Sequence, residues 1–176
     1  MEVTNRELWG LIHGMGFGAL FLLAFAGGLA GLYSLRPELL TVTGLRERMT
    51  RLVSGTWLMA IAAWGTVITG TYIVYPWYRA KPPEGANLID YPRYYLLDNP
   101  RLAEWHTFGM EWKEHVAWFA PILATVVAFV VLRYGKRLAE YPFLRKALIA
   151  TFIVAFGAAA VAGLMGALIT KAAPIH

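Results

Sequence analysis

Residues 105–132 read WHTFGMEWKEHVAWFAPILATVVAFVVL, and this stretch decides the fold. From Val116 to Leu132 no residue is charged, a run suited to the roughly 20 apolar residues that carry a helix across a hydrocarbon layer about 30 Å thick. The lead-in from Trp105 to His115 is polar and aromatic and holds two of the chain's four histidines. His106 and His115 are nine residues apart, which at roughly 100° per residue puts them on opposite helix faces, roughly 13 Å apart along the axis. They are therefore not expected to share a ligand. Which of the two faces the protein interior is the functional question the stretch poses.

Working outward, three further apolar runs at 8–35, 53–75 and 147–170 join the one at 111–132. With 58% hydrophobic and 15% charged residues in 176, the chain lies outside the range of soluble globular proteins. The expected fold class is all-α: a polytopic membrane four-helix bundle, one membrane domain over 1–176, with 76–110 as its outer loop. The first run is too long for a signal-peptide core and lacks a basic leader, so it is expected to be a retained span. The absence of cysteine excludes disulfides, thiolate metal sites, iron–sulfur clusters and covalent c-type haem.

The net charge of +5 comes from basic residues gathered in two short connections, Arg36, Arg46, Arg48 and Arg51 in one, Arg133, Lys136, Arg137, Arg145 and Lys146 in the other. That distribution orients spans rather than binding nucleic acid. It places both termini and the long loop on the outer (periplasmic) side of a bacterial or archaeal cytoplasmic membrane, in a multi-pass protein. The long loop mixes charges with Tyr91, Tyr94, Tyr95 and Trp105, a composition suited to order against a surface.

Local signals sharpen the outline. Thr4 and Glu7 have capping-box spacing, so the first helix starts near Asn5. Gly10, Gly14 and Gly18 form a small-xxx-small stripe that lets a neighbouring helix approach, and Ala155, Ala159, Gly163 and Ala167 form a second. Leu45, Met49 and Leu52 fall at helical spacing and extend the second helix backwards. Pro121 removes a hydrogen bond and frees the carbonyl of Ala117.

An ionisable group inside a span is costly and marks a functional site by default. His13 sits about two turns into the first helix between Gly10 and Gly16, which leave room for something flat. His115 lies about one turn into the third span at matched depth. Two imidazoles on two helices of a bundle suit six-coordinate haem b, whose iron takes one axial nitrogen from each side. Trp112 and Trp118 supply flat walls, Arg79, Lys81 and Arg93 can meet propionates, and Glu111 can accept the other ring proton of His115. His106 and Met165 are the alternative metal ligands, Met15 offers another His/Met pairing, and a copper site would need His13, His106, His115 and Met110. His176 lies on the same side. An interfacial or packing role competes for every histidine.

On the positions of His13 and His115 and the glycine-rich first helix, the chain resembles small four-helix b-type cytochrome subunits of respiratory or photosynthetic oxidoreductase complexes. The resemblance implies an electron-transfer subunit with one haem b near the outer leaflet, quinol as exchange partner, other membrane subunits and a periplasmic electron-transfer protein as partners, and no chemistry of its own. It departs from two-haem versions, which need four histidines within the spans. A cofactor-free structural or assembly subunit and a chlorophyll-binding subunit are the alternatives. A transporter is not expected, because no charged residue is placed deep in the spans.

Overall fold

The computed structural model describes residues 3–174, without the side chains of 42 and 43; His176 lies outside the described residues. Four helices are long and apolar enough to cross a membrane: α1 (Asn5–Ser34), α2 (Gly44–Tyr78), α4 (Ala103–Ala139) and α5 (Pro142–Ala172). A short α3 (Pro92–Asp98) lies in the long connection, and there is no strand among the described residues. The helices outrun the apolar stretches that announce them. The helix of α2 starts at Val42, behind the Thr41 cap, and α4 begins at Ala103, inside the expected loop.

Helix ends follow from sequence. Thr4 caps α1 in a reciprocal capping box with Glu7, Oγ1 accepting from the Glu7 amide at 3.2 Å, which satisfies two of the amides a helix start leaves open. At the other end of α1, Arg48 donates to the Ser34 carbonyl at 3.1 Å and Arg145 donates to the Leu35 carbonyl. The basic connections thus also serve as cationic caps on a helix C-terminus. Pro121 frees the Ala117 carbonyl as expected, and the amide of Ala120 takes it at 3.1 Å. Gly135 has φ +51, a left-handed turn that a side chain adopts only under strain.

The long helices form a closed square: α1 packs on α2, α2 on α4, α4 on α5, and α5 back on α1. α1 and α4 are diagonal. The main core fills the half of the bundle near the basic connections, with Leu32, Met59, Val127, Val131 and Phe152 fully buried. A Cβ on Gly28 would lie 2.8 Å from Phe152 Cε1, and one on Gly55 would lie 3.7 Å from the Gly28 amide. Here α1 and α2 make the close approach that glycine permits. Gly14 and Gly18 of the expected stripe instead face open space. Phe156 stacks on Phe25 at 4.1 Å and on Phe21 at 5.9 Å, and Phe25 meets Phe152 at 5.3 Å, a continuous aromatic seam between α1 and α5.

A smaller core sits at the opposite end, where α1 begins and α5 ends, hereafter the terminal end. Leu96 of α3, Met110 of α4, and Ile169 and Ala173 are buried together, with Tyr75, Tyr78 and Trp105 around them. The long connection is therefore docked on the bundle through Leu96.

Candidate functional site

Three of the four long helices change pitch at one level. Single π-turns occupy Ile12–Gly16 of α1, Gly70–Val74 of α2 and Trp112–Val116 of α4. A π-turn inserts one residue into the 3.6-residue repeat, swings later side chains by roughly 100°, and recurs at functional sites. At 1.5 Å per residue, His13, Thr69, Lys113 and Gly166 all lie roughly 9–15 Å from the terminal ends of their helices. Each of the four helices contributes one of them.

His13 points at α2. Its Nδ1 is 3.2 Å from Thr69 Oγ1, and a Cβ on Gly70 would lie 2.7 Å from its Cε1. Thr69 Oγ1 is also 2.7 Å from the Gly65 carbonyl, to which it donates. A hydroxyl has one proton, so with that proton on the Gly65 carbonyl Thr69 accepts from His13 Nδ1–H. That tautomer leaves the Nε2 lone pair free. Lys113 comes from the diagonal helix. Its Nζ lies against α5, 3.3 Å from where a Gly166 Cβ would be, and within Coulombic range of His13.

His115 does not meet His13. Its side chain is 68% exposed, and Nδ1 lies 3.1 Å from the Glu111 carbonyl and 3.3 Å from the Glu111 carboxylate. A carbonyl only accepts, so this imidazole too carries its proton on Nδ1 in the neutral form. The side chain that this turn of α4 sends inward is Lys113, which lies against Gly166 of α5. His106 is half-buried, with Nδ1 2.7 Å from the Tyr78 hydroxyl and its ring stacked on Tyr78 at 5.8 Å. The two histidines of α4 do diverge, and the one with a partner across the bundle is His106.

Above the layer, α2, α3 and α4 enclose a cleft of about 420 Å³ lined by Tyr75, Arg79, Arg93, Leu97, His106, Thr107, Met110, Glu111 and Glu114. The Tyr75 hydroxyl donates to Glu114. Arg79 lies over the Tyr75 ring at 5.1 Å and Arg93 over Tyr94 at 5.9 Å. Lys113 and Glu114, adjacent in one π-turn, look opposite ways, inward to the layer and out to the cleft.

Of the other expected site residues, Trp112 donates Nε1 to the Ala158 carbonyl at 3.0 Å and serves the α4–α5 contact. Trp118 packs edge-on to Trp64 at 6.3 Å. Gly10 is half-buried one turn before His13, Gly16 is exposed, and Met165 packs beside Gly109. Arg79, Arg93 and His106 are brought together, while His13 and His115 are not. Among the described residues no three of His, Asp or Glu cluster to hold a metal ion. Sequence reasoning missed Lys113, Thr69 and Glu114. The detectable signal was a lysine and a glutamate inside a helix that continues into a span.

No family model, curated protein or solved structure matches this chain.

Proposed function

We propose that the chain is a membrane subunit of a redox complex whose terminal-end cleft binds a quinol and accepts its protons. Oxidising a quinol removes two protons and two electrons. The electrons pass to a redox centre of a partner subunit, and the protons need bases within hydrogen-bond reach. The observation that carries the reading is the cleft's pair of acid–base couples, Tyr75 with Glu114 and Tyr78 with His106. Leu97 and Met110 supply apolar surface for the ring, the mixture of apolar wall and few polar groups that ligand sites have. By the distribution of basic residues, the cleft opens on the outer face.

The test is saturable binding of a short-chain quinol analogue by the purified protein in phosphatidylcholine nanodiscs, followed by tryptophan fluorescence. Glu114→Gln and His106→Ala should each weaken it about tenfold or more, the worth of one hydrogen bond to a charged group. No saturable binding to the wild type would sink the reading.

A bis-histidine haem b between α1 and α4 does not fit this arrangement, because His13 turns onto Thr69 of α2 and His115 points outward. A haem held by His13 as the chain's single axial ligand is the second reading. It is favoured by the Thr69 hydrogen bond, which leaves Nε2 free as such ligands require. A reduced-minus-oxidised spectrum lost in His13→Ala would support it, and a colourless wild-type protein would end it.

A further inference from the structure

The charges in the cleft are unequally satisfied. Glu114 receives the Tyr75 hydroxyl and Glu111 is paired with His115. Neither Arg79 nor Arg93 forms an ion pair or donates a hydrogen bond among the described residues, although two carboxylates line the same cleft. Arg93 Nε is the one buried side-chain nitrogen or oxygen among the described residues with no hydrogen-bond partner. A buried donor without an acceptor is costly, more so on a charged group. Each guanidinium also lies over a tyrosine ring, Arg79 over Tyr75 and Arg93 over Tyr94. Such stacking holds the π face and leaves the in-plane N–H groups available, the edge that pairs with carboxylate or phosphate oxygens.

We infer that Arg93 and Arg79 form an oxyanion site at the mouth of the cleft, which takes the phosphate of an anionic phospholipid headgroup or a free phosphate. Both guanidiniums lie next to the terminal ends of their helices, Arg79 directly after Tyr78 of α2 and Arg93 in the first turn of α3. That is headgroup level for a bundle of this length. Leu97 and Met110, on the apolar side of the same cleft, offer contact for the start of an acyl chain. The inference rests on the cleft's being a ligand site, but not on the ligand there being a quinol.

The test uses the whole protein in nanodiscs of phosphatidylcholine alone or mixed with phosphatidylglycerol, with retained lipid counted by native mass spectrometry after transfer to detergent. Phosphatidylglycerol should be retained in preference to phosphatidylcholine, and Arg93→Gln should reduce that preference about tenfold or more. Arg93→Lys, which keeps the charge but loses the fork, should be intermediate. Arg51→Gln, which alters a basic residue paired with Glu47 at the opposite end, should change nothing. In a second arm inorganic phosphate is titrated against tryptophan fluorescence in detergent. Saturation lost in Arg93→Gln, without lipid preference, identifies a free anion as the occupant. Equal retention by wild type and Arg93→Gln together with no response to phosphate overturns the site. The quinol-analogue titration in pure phosphatidylcholine is read separately. A cleft that binds the analogue but no oxyanion defeats this inference alone, and one that binds oxyanion but no analogue defeats the functional reading alone.

Discussion

Gly70→Ala isolates the contact on which the orientation of His13 depends. In a regular helix the exchange is favourable by about 0.5–1 kcal/mol, because alanine loses less backbone freedom on folding. At Gly70 the new Cβ would lie 2.7 Å from His13 Cε1 and 3.5 Å from both ring nitrogens. The imidazole cannot retreat without lengthening its 3.2 Å bond to Thr69. Overpacking of this kind costs about 1–3 kcal/mol, so set against the propensity gain the net loss is about 0–2.5 kcal/mol. Gly14→Ala is the control, since its Cβ meets nothing within 4 Å and only the propensity gain remains. Unfolding in one fixed detergent, with both substitutions made in wild-type and His13→Ala backgrounds, gives a double-mutant cycle. The Gly70 loss should vanish when His13 is alanine, a coupling of about 1 kcal/mol or more. If Gly70→Ala and Gly14→Ala are equally harmless in both backgrounds, His13 does not sit against Gly70.

Two further outcomes are expected. Lys113→Met replaces an ammonium that has no hydrogen-bond or ion-pair partner among the described residues with an apolar side chain of similar length. It should stabilise the bundle by about 1–4 kcal/mol in the same unfolding assay, and destabilisation would mean that Lys113 has a counter-charge. The chain has no cysteine, so single cysteines report sidedness cleanly. In intact cells a membrane-impermeant maleimide should label Glu84→Cys and spare Lys136→Cys, and the reverse pattern would invert the orientation drawn from the basic connections.

The spans were legible because hydrophobic length is a one-dimensional signal. The Thr4–Glu7 cap and the backward extension of α2 through Met49 and Leu52 were legible for the same reason, each being a matter of spacing along one helix. The site was less so. At roughly 100° per residue His106 and His115 fall on opposite faces, but His115 lies inside the π-turn Trp112–Val116, where that count no longer holds, and His106 turns inward to Tyr78 of α2, a partner no local pattern names. The π-turns matter more. Each resets helical phase, and nothing in Ile12–Gly16 or Trp112–Val116 marks the inserted residue. Lys113, read as part of a polar lead-in near the headgroups, lies at the level of His13 because α4 begins as early as Ala103. The glycine stripe failed for a related reason: Gly10, Gly14 and Gly18 have the right spacing, yet the close α1–α2 approach lies deeper, where Phe152 needs the space above Gly28.

The aromatic seam of Phe21, Phe25, Phe152 and Phe156 carries a consequence for bioenergetics. It packs ring on ring in the half of the bundle below the polar layer, where the buried Thr56 turns its hydroxyl onto the Leu52 carbonyl of its own helix and so offers water no open partner. Under the quinol reading proposed above, a proton released in the cleft would leave by the mouth through which its donor entered. Such a subunit would be a one-sided terminal, returning protons to the face from which it takes its substrate, and any voltage would depend on which way the electrons leave.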